Sequence, residues 1–269
     1  MSRRALVTGA SSGIGMEVAR ALVSRGYRVL GTTRNPDALQ ESSRIPGVEY
    51  VALDLTDRAS IEACARAAGD GGGVDILVNN AGESQMGPLE ELPLDAIDRL
   101  FQVNVLGAVQ LTQLLLPGMR ERGYGRVVMV GSMLASFPLA FRSSYVAAKC
   151  ALKGFATAAR RELSPFGVWL TTVEPGTIAT GIGDRRTRYI GDYSPYTGDY
   201  TTVSKAMQRN EDRGIKASTV AELVVKAIEA DRPKPLYAVG NMAPLVFTVR
   251  RLAPRAFTEK MMARFHGLK

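Results

Sequence analysis

The 269-residue chain predicts a doubly wound α/β domain built on a seven-stranded parallel sheet. Three observations carry that expectation. Short apolar runs alternate with longer amphipathic segments, a glycine cluster directly follows the first apolar run, and 46% hydrophobic residues give material for a sizeable core. Taken in order, the apolar runs place strands at 4–8, 28–32, 49–53, 75–78, 126–130, 168–173 and 235–239. Helical periodicity between them places helices at 14–24, 60–68, 94–116, 145–163 and 219–230. Pro117 should end or kink the third helix, because it lacks an N–H and its ring crowds the preceding turn. Residues 1–240 read as one domain. Within it, 181–215 has little periodic pattern and carries Tyr189, Tyr193, Tyr196 and Tyr200 among glycines and charges. A loop of that length is expected to be functional, here a lid at the carboxyl edge of the sheet. Residues 241–269 form a basic, helical tail expected on or near the substrate side.

Charge is concentrated at the end of the chain. The net charge is +8, and residues 213–269 hold eleven Lys or Arg against four Asp or Glu. Two readings stay open for this tail: a solvated surface that attracts phosphate-bearing cofactors, or peripheral contact with an acidic membrane. The second is suggested by Leu245, Val246, Phe247, Val249 and Leu252 among Arg250, Arg251 and Arg255. No nucleic-acid motif is present. Cys64 and Cys150 lack the spacing of a metal site or disulfide framework, which fits a reducing, cytoplasmic setting. The opening Met1-Ser2-Arg3-Arg4-Ala5-Leu6-Val7 breaks at once into Thr8-Gly9 and does not read as a signal segment. No uninterrupted apolar stretch has the ~18 residues of a membrane span.

The run Thr8-Gly9-Ala10-Ser11-Ser12-Gly13-Ile14-Gly15 follows the first strand and opens the first helix. Glycines at 9, 13 and 15 let the backbone turn tightly and approach a pyrophosphate, and the helix N-terminus offers free N–H groups. Cofactor choice is read at the end of the second strand, where an acid would bind a ribose 2′-hydroxyl. Here the run is Leu30-Gly31-Thr32-Thr33-Arg34-Asn35, with no acid. Arg34 offers a charged fork for a 2′-phosphate, so NADP(H) is expected over NAD(H).

Tyr145 and Lys149 lie four residues apart in Ser144-Tyr145-Val146-Ala147-Ala148-Lys149. On a helix they share a face. A cation within about 4–6 Å of a phenol favours the phenolate, drawing it toward the range where proton transfer is efficient. Alone, the pair could equally be a half-buried tyrosine beside a solvated lysine.

Together these motifs resemble the short-chain dehydrogenase/reductase family over at least residues 1–240, in the branch with a Thr-Gly-x-x-x-Gly-x-Gly loop and a Tyr-x-x-x-Lys pair. Asp54-Leu55, Asn79-Asn80-Ala81-Gly82, Asn104, Ser132 thirteen residues before Tyr145, and Pro175-Gly176 with Ile178 and Thr180 extend the match in order. The resemblance implies a Rossmann-type fold and a catalytic set of Asn104, Ser132, Tyr145 and Lys149. It implies a cofactor surface of Gly9, Ser11, Ser12, Gly13, Ile14, Gly15, Arg34, Asp54, Leu55, Asn80, Ala81, Gly82, Pro175, Gly176, Ile178 and Thr180, shared with Tyr145 and Lys149. Ser136, Ser143 and Ser144 are poorer candidates for the catalytic serine than Ser132. Gly131 stands where many members have a second serine. The tail and the run 235–240 look like members related to 17β-hydroxysteroid and retinol dehydrogenases.

The expected function is therefore interconversion of a carbonyl and an alcohol on a fairly apolar small molecule, with reduction favoured by NADP(H). Met133, Leu134, Phe137, Phe141 and the lid tyrosines motivate the apolar substrate, which could be steroid-, retinoid-, polyketide- or terpenoid-like. A non-catalytic NADP(H) sensor or scaffold is the alternative, although it would have no need of all four catalytic residues. Members of the family commonly form homodimers or homotetramers, and the same is expected here.

Overall fold

The computed structural model describes residues 2–179, 181, 183 and 185–268. In chain order the strands are β1 (Arg4–Val7), β2 (Arg28–Thr33), β3 (Val48–Ala52), β4 (Ile76–Asn79), β5 (Gln85–Met86), β6 (Gly125–Val130), β7 (Val168–Pro175), β8 (Thr187–Arg188) and β9 (Leu236–Val239). Seven of them make one parallel sheet ordered β3-β2-β1-β4-β6-β7-β9. The short β5 and β8 pair separately, tying the segment after β4 to the lid region. Leu6 on β1 lies opposite Leu30 on β2 and Leu77 on β4, and this central register is wholly apolar. Chain direction across the sheet reverses between β1 and β4. That switch point opens a crevice at the carboxyl ends of the strands.

The helices are α1 (Gly13–Ser24), α2 (Arg58–Gly69), α3 (Leu94–Phe101), α4 (Gly107–Glu121), α5 (Ser143–Leu163), α6 (Thr197–Asp212), α7 (Ala217–Glu229), α8 (Ala243–Leu252) and α9 (Arg255–Phe265). Alternate strand residues feed two cores, because successive side chains point to opposite faces. On one face Leu6, Leu77 and Val127 pack with Ile61 of α2, Leu111 of α4 and Leu152 of α5. On the other, Val7, Val78 and Val128 meet Leu22 of α1 and Val224 of α7. Both faces are therefore covered, as a parallel sheet requires.

The structure departs from the sequence expectations at two places. Pro117 does not end its helix, which runs on to Glu121. Leu111, Leu115 and Met119 are buried on one stripe across the proline, so core packing on both sides offsets the missing hydrogen bond. The same stretch is interrupted earlier by a π-helical turn, Gln102–Leu106. From Leu94 to Glu121 it has the length and composition of a membrane-crossing helix, yet half of its apolar window is buried within the protein. The second departure is α6, inside the region without evident periodicity. Tyr200, Val203 and Met207 are its buried positions, and they pack on Met86 and Leu139. The tail is helical as expected, folding into α8 and α9.

Leu77 is fully buried at the middle of the sheet. Leu77→Ala should cost about 3 kcal/mol of unfolding free energy, measured by urea denaturation, since the flanking strands cannot close the void.

Candidate active site

Main-chain geometry at the switch point begins with Thr8. Its hydroxyl accepts hydrogen bonds from the N–H groups of Asn80 and Ala81, both at 2.9 Å. The Asn80 side chain returns one to Thr8 O, also at 2.9 Å. The ends of β1 and β4 are thus clasped together. On the other side of the loop, Ala10 N donates to Thr32 O and Gly9 N to the Thr32 hydroxyl. Between these anchors Gly9 and Gly13 take φ of +66° and +56°, backbone that favours glycine. A Cβ on Gly15 would overlap Gly9 O and the Asn80 amide. Gly15 therefore lies beneath the loop and lets α1 approach it.

A cavity of about 1050 Å³ runs over this loop and along the sheet edge. Gly9, Ser11, Ser12, Gly13 and Ile14 line one end, with Arg34, Asp54, Leu55, Asn80, Ala81 and Gly82 beside them. Ser132, Tyr145, Lys149, Pro175, Gly176 and Ile178 line its middle. Thr180 lies outside the described residues. Among the described residues the Ser12 side chain makes no cap bond to α1, so the helix N-terminus faces the cavity with open N–H groups. Arg34 is exposed at the rim. Asp54 accepts from the hydroxyl and N–H of Thr56, which hold its carboxyl below the ordinary carboxylate range. This donor-rich, glycine-floored groove fits a dinucleotide.

The proton-handling residues sit on rigid elements. Ser132 begins a short 3₁₀ turn after β6, where its Oγ accepts from Leu134 N at 3.2 Å. Its O–H remains available to an oxygen in the cavity. Tyr145 and Lys149 occupy one face of α5, and the Lys149 ammonium is 5.8 Å from the phenol ring centroid. Lys149 is buried and donates to Val130 O at 2.9 Å. Asn104 is carried by the π-helical turn and does not line the cavity. Its amide is fixed at both ends by Glu83, accepting from the N–H at 2.8 Å and donating to the carbonyl at 2.9 Å. A Cβ on Gly82 would stand 2.9 Å from Asn104 Oδ1 and 3.8 Å from Lys149 Nζ, so Gly82 keeps the space between them open.

Two of the neighbouring serines, Ser136 and Ser144, are occupied elsewhere. Ser136 donates to buried Glu174 at 2.7 Å and accepts from Lys153 at 2.7 Å. Ser144 accepts from Gln85. Gly131 lies where a Cβ would come 3.1 Å from Thr172 and 3.4 Å from Glu174, which accounts for the absence of a serine there.

A family model described as short chain dehydrogenase matches residues 3–189. The chain belongs to the short chain dehydrogenase family. Among relatives, the uncharacterized oxidoreductase YusZ of Bacillus subtilis (strain 168) is 31% identical, covering 97% of both chains. Human 17-beta-hydroxysteroid dehydrogenase type 1 is 34% identical over 93% of this chain and 78% of its own. Among solved structures, a short-chain dehydrogenase from Streptomyces avermitilis has a TM-score of 0.83 at 31% identity, covering 100% of this chain and 98% of that one. A serine dehydrogenase complexed with NADP+ has a TM-score of 0.75 at 26% identity, with coverages of 89% and 95%.

Motif reading missed the far wall of the cavity. The tyrosines of the lid and Phe141 do not line it among the described residues. Tyr200 is buried in the α6 cluster and Tyr193 is fully exposed, while Phe141 stacks edge-on against Tyr196 and Tyr200. Their places are taken by Arg185, Arg186, Met207 and Glu211 from the lid, and by Val246, Met261, Met262, Phe265 and His266 from the tail. Arg142, one turn before Tyr145, is buried with its guanidinium 4.3 Å over the phenol ring. Burial pushes its pKa down to about 10, and neighbouring Arg186 adds to the effect, so it stays charged near neutrality. Asn241, at φ 46°, accepts from Thr177 N at 2.8 Å and ties the tail to the segment after β7. The dipeptide Gly240-Asn241, two residue types that tolerate left-handed backbone, is the one sequence-level hint at that clamp.

Thr8→Val would leave the partly buried Asn80 and Ala81 N–H groups without their acceptor. Chemical denaturation should show a loss of about 1–3 kcal/mol.

Proposed function

We propose that this short chain dehydrogenase is an NADP(H)-dependent carbonyl reductase, or in reverse an alcohol dehydrogenase, for a fairly apolar substrate. The observation that carries this reading is one cavity in which Ser132, Tyr145 and Lys149 adjoin the glycine loop. Bound NADPH supplies a hydride to the carbonyl carbon. The oxygen then needs a proton and a place for its developing charge. Tyr145 O–H donates that proton, and the Ser132 hydroxyl donates a hydrogen bond to the same oxygen. Lys149, held on Val130 O, binds the ribose side of the cofactor and keeps positive charge beside the phenol. Asn104 and Gly82 border Lys149 and leave a route by which Tyr145 regains a proton. In oxidation each transfer reverses.

Cofactor preference is supported by Arg34 at the cavity rim and by the lack of an acid from Leu30 to Asn35. The NADP+ complex of the serine dehydrogenase agrees with it. An apolar substrate is supported by Met133, Phe137, Leu139, Met207 and Met262 along the wall beyond Tyr145. The likeness to a hydroxysteroid dehydrogenase points the same way. Leu106, Leu114 and Phe155, exposed on and beside α4 and α5, suit a homodimer or homotetramer. We place the activity in the cytoplasm.

Tyr145→Phe should lower kcat by about 100-fold or more while fluorescence titration shows unchanged NADPH affinity; near wild-type turnover would refute the assigned proton donor. Arg34→Glu should weaken NADPH binding by at least about tenfold and spare NADH, measured by the same titration.

A further inference from the structure

We propose that the tail helices α8 and α9 dock the protein on an anionic lipid surface, and that the mouth of the substrate cavity opens at that surface. Each helix has two unlike faces. Inward, Ala243, Val246, Phe247 and Met262 pack on Met133 and Phe137, with the Phe137 and Phe247 rings edge-to-face at 5.1 Å. Outward, Leu245 and Leu252 are 59% and 80% exposed, and Phe257 is 56% exposed. Leu245 and Leu252 are seven residues apart, so they share one stripe of α8.

Cations flank this apolar face. Residues 241–268 contain Arg250, Arg251, Arg255, Lys260 and Arg264 against a single acid, Glu259. Arg255 pairs with Glu259 at 2.7 Å, and Arg250 lies 5.8 Å from the Phe137 ring. Arg251, Lys260 and Arg264 are exposed and have no ion-pair partner among the described residues. Exposed large apolar groups with unpaired cations match the headgroup and acyl boundary of an anionic bilayer. A second copy of this face would bring like charges together.

The cavity supplies the link to function. Met242 and Phe265 both line it, yet are 70% and 58% exposed. They form an apolar path from the outer face of the tail into the wall beyond Tyr145. A lipophilic carbonyl compound dissolved in the bilayer would enter by that path. Substrate entry rests on the reductase reading; docking does not.

Cosedimentation of the whole protein with vesicles tests the proposal without turnover. Binding is expected to vesicles of phosphatidylcholine mixed with phosphatidylglycerol, not to phosphatidylcholine alone, and added salt should release it. R251E/K260E/R264E and, separately, L252S/F257S should each lower partitioning at least about tenfold. Both should keep the wild-type melting temperature and NADPH affinity. Absence of wild-type binding to the anionic vesicles, or binding unchanged in both variants, would overturn the proposal. So would light scattering that shows L252S/F257S dissociating a wild-type multimer, because the face would then belong to a second copy.

Discussion

The Thr8 hydroxyl, accepting from two consecutive N–H groups at the end of β4, fixes the point from which the whole site is measured. Strands β1 and β4 diverge in connectivity there, and nothing in a parallel ladder alone would hold their carboxyl ends at a set spacing. With the clasp made, Asn80 turns its amide onto Thr8 O, Gly15 can pass beneath Gly9, and α1 aims its N-terminus into the crevice. The dinucleotide groove is therefore a consequence of three part-buried hydrogen bonds and one missing Cβ. Partly buried, satisfied polar groups of this kind favour a single arrangement, because each donor left unpaired is destabilising.

From that origin the proton-handling residues follow through rigid packing. Asn80 and Ala81 lead to Gly82, which leaves room between Asn104 and Lys149. Lys149 is in turn pinned to the last residue of β6, two positions before Ser132. Tyr145 is held from its other face by Arg142, whose own charge is kept in place by the Ser84 hydroxyl at 3.1 Å. Phenol, ammonium and hydroxyl thus converge from a helix and a strand end, not from loops. The far wall is built differently. It comes from α6 and the tail helices, which pack through apolar side chains and a few exposed contacts, and this is where substrate choice would be set.

Much of this was legible in the sequence, for a physical reason. The glycine loop, Tyr145 and Lys149 are demanded by local chemistry at fixed spacing, so single residues carry the signal, and the family resemblance they open extends it to Asp54, Asn80, Asn104 and Ser132. The strands were legible because a sheet buried on both faces leaves continuous apolar runs. The course of the chain through Pro117 was not, since Leu111, Leu115 and Met119 outweigh the proline only once the core exists. Nor was α6: its buried stripe of Tyr200, Val203 and Met207 is short and set among glycines and charges, and its partners Met86 and Leu139 are distant in sequence. The lid tyrosines drew attention as aromatic residues, whereas packing turned them into core or surface. Arg142 gave no motif at all; its stacking on Tyr145 arises from its place at the start of α5.

Amide hydrogen exchange on the protein without cofactor tests the central claim most directly. If the β1–β4 clasp is built into the fold, the N–H groups of Asn80 and Ala81 should exchange as slowly as those of the central strands, and NADPH should change them little. Rapid exchange at Asn80 and Ala81 that slows only when NADPH is added would show that the cofactor makes the clasp, and would contradict the account.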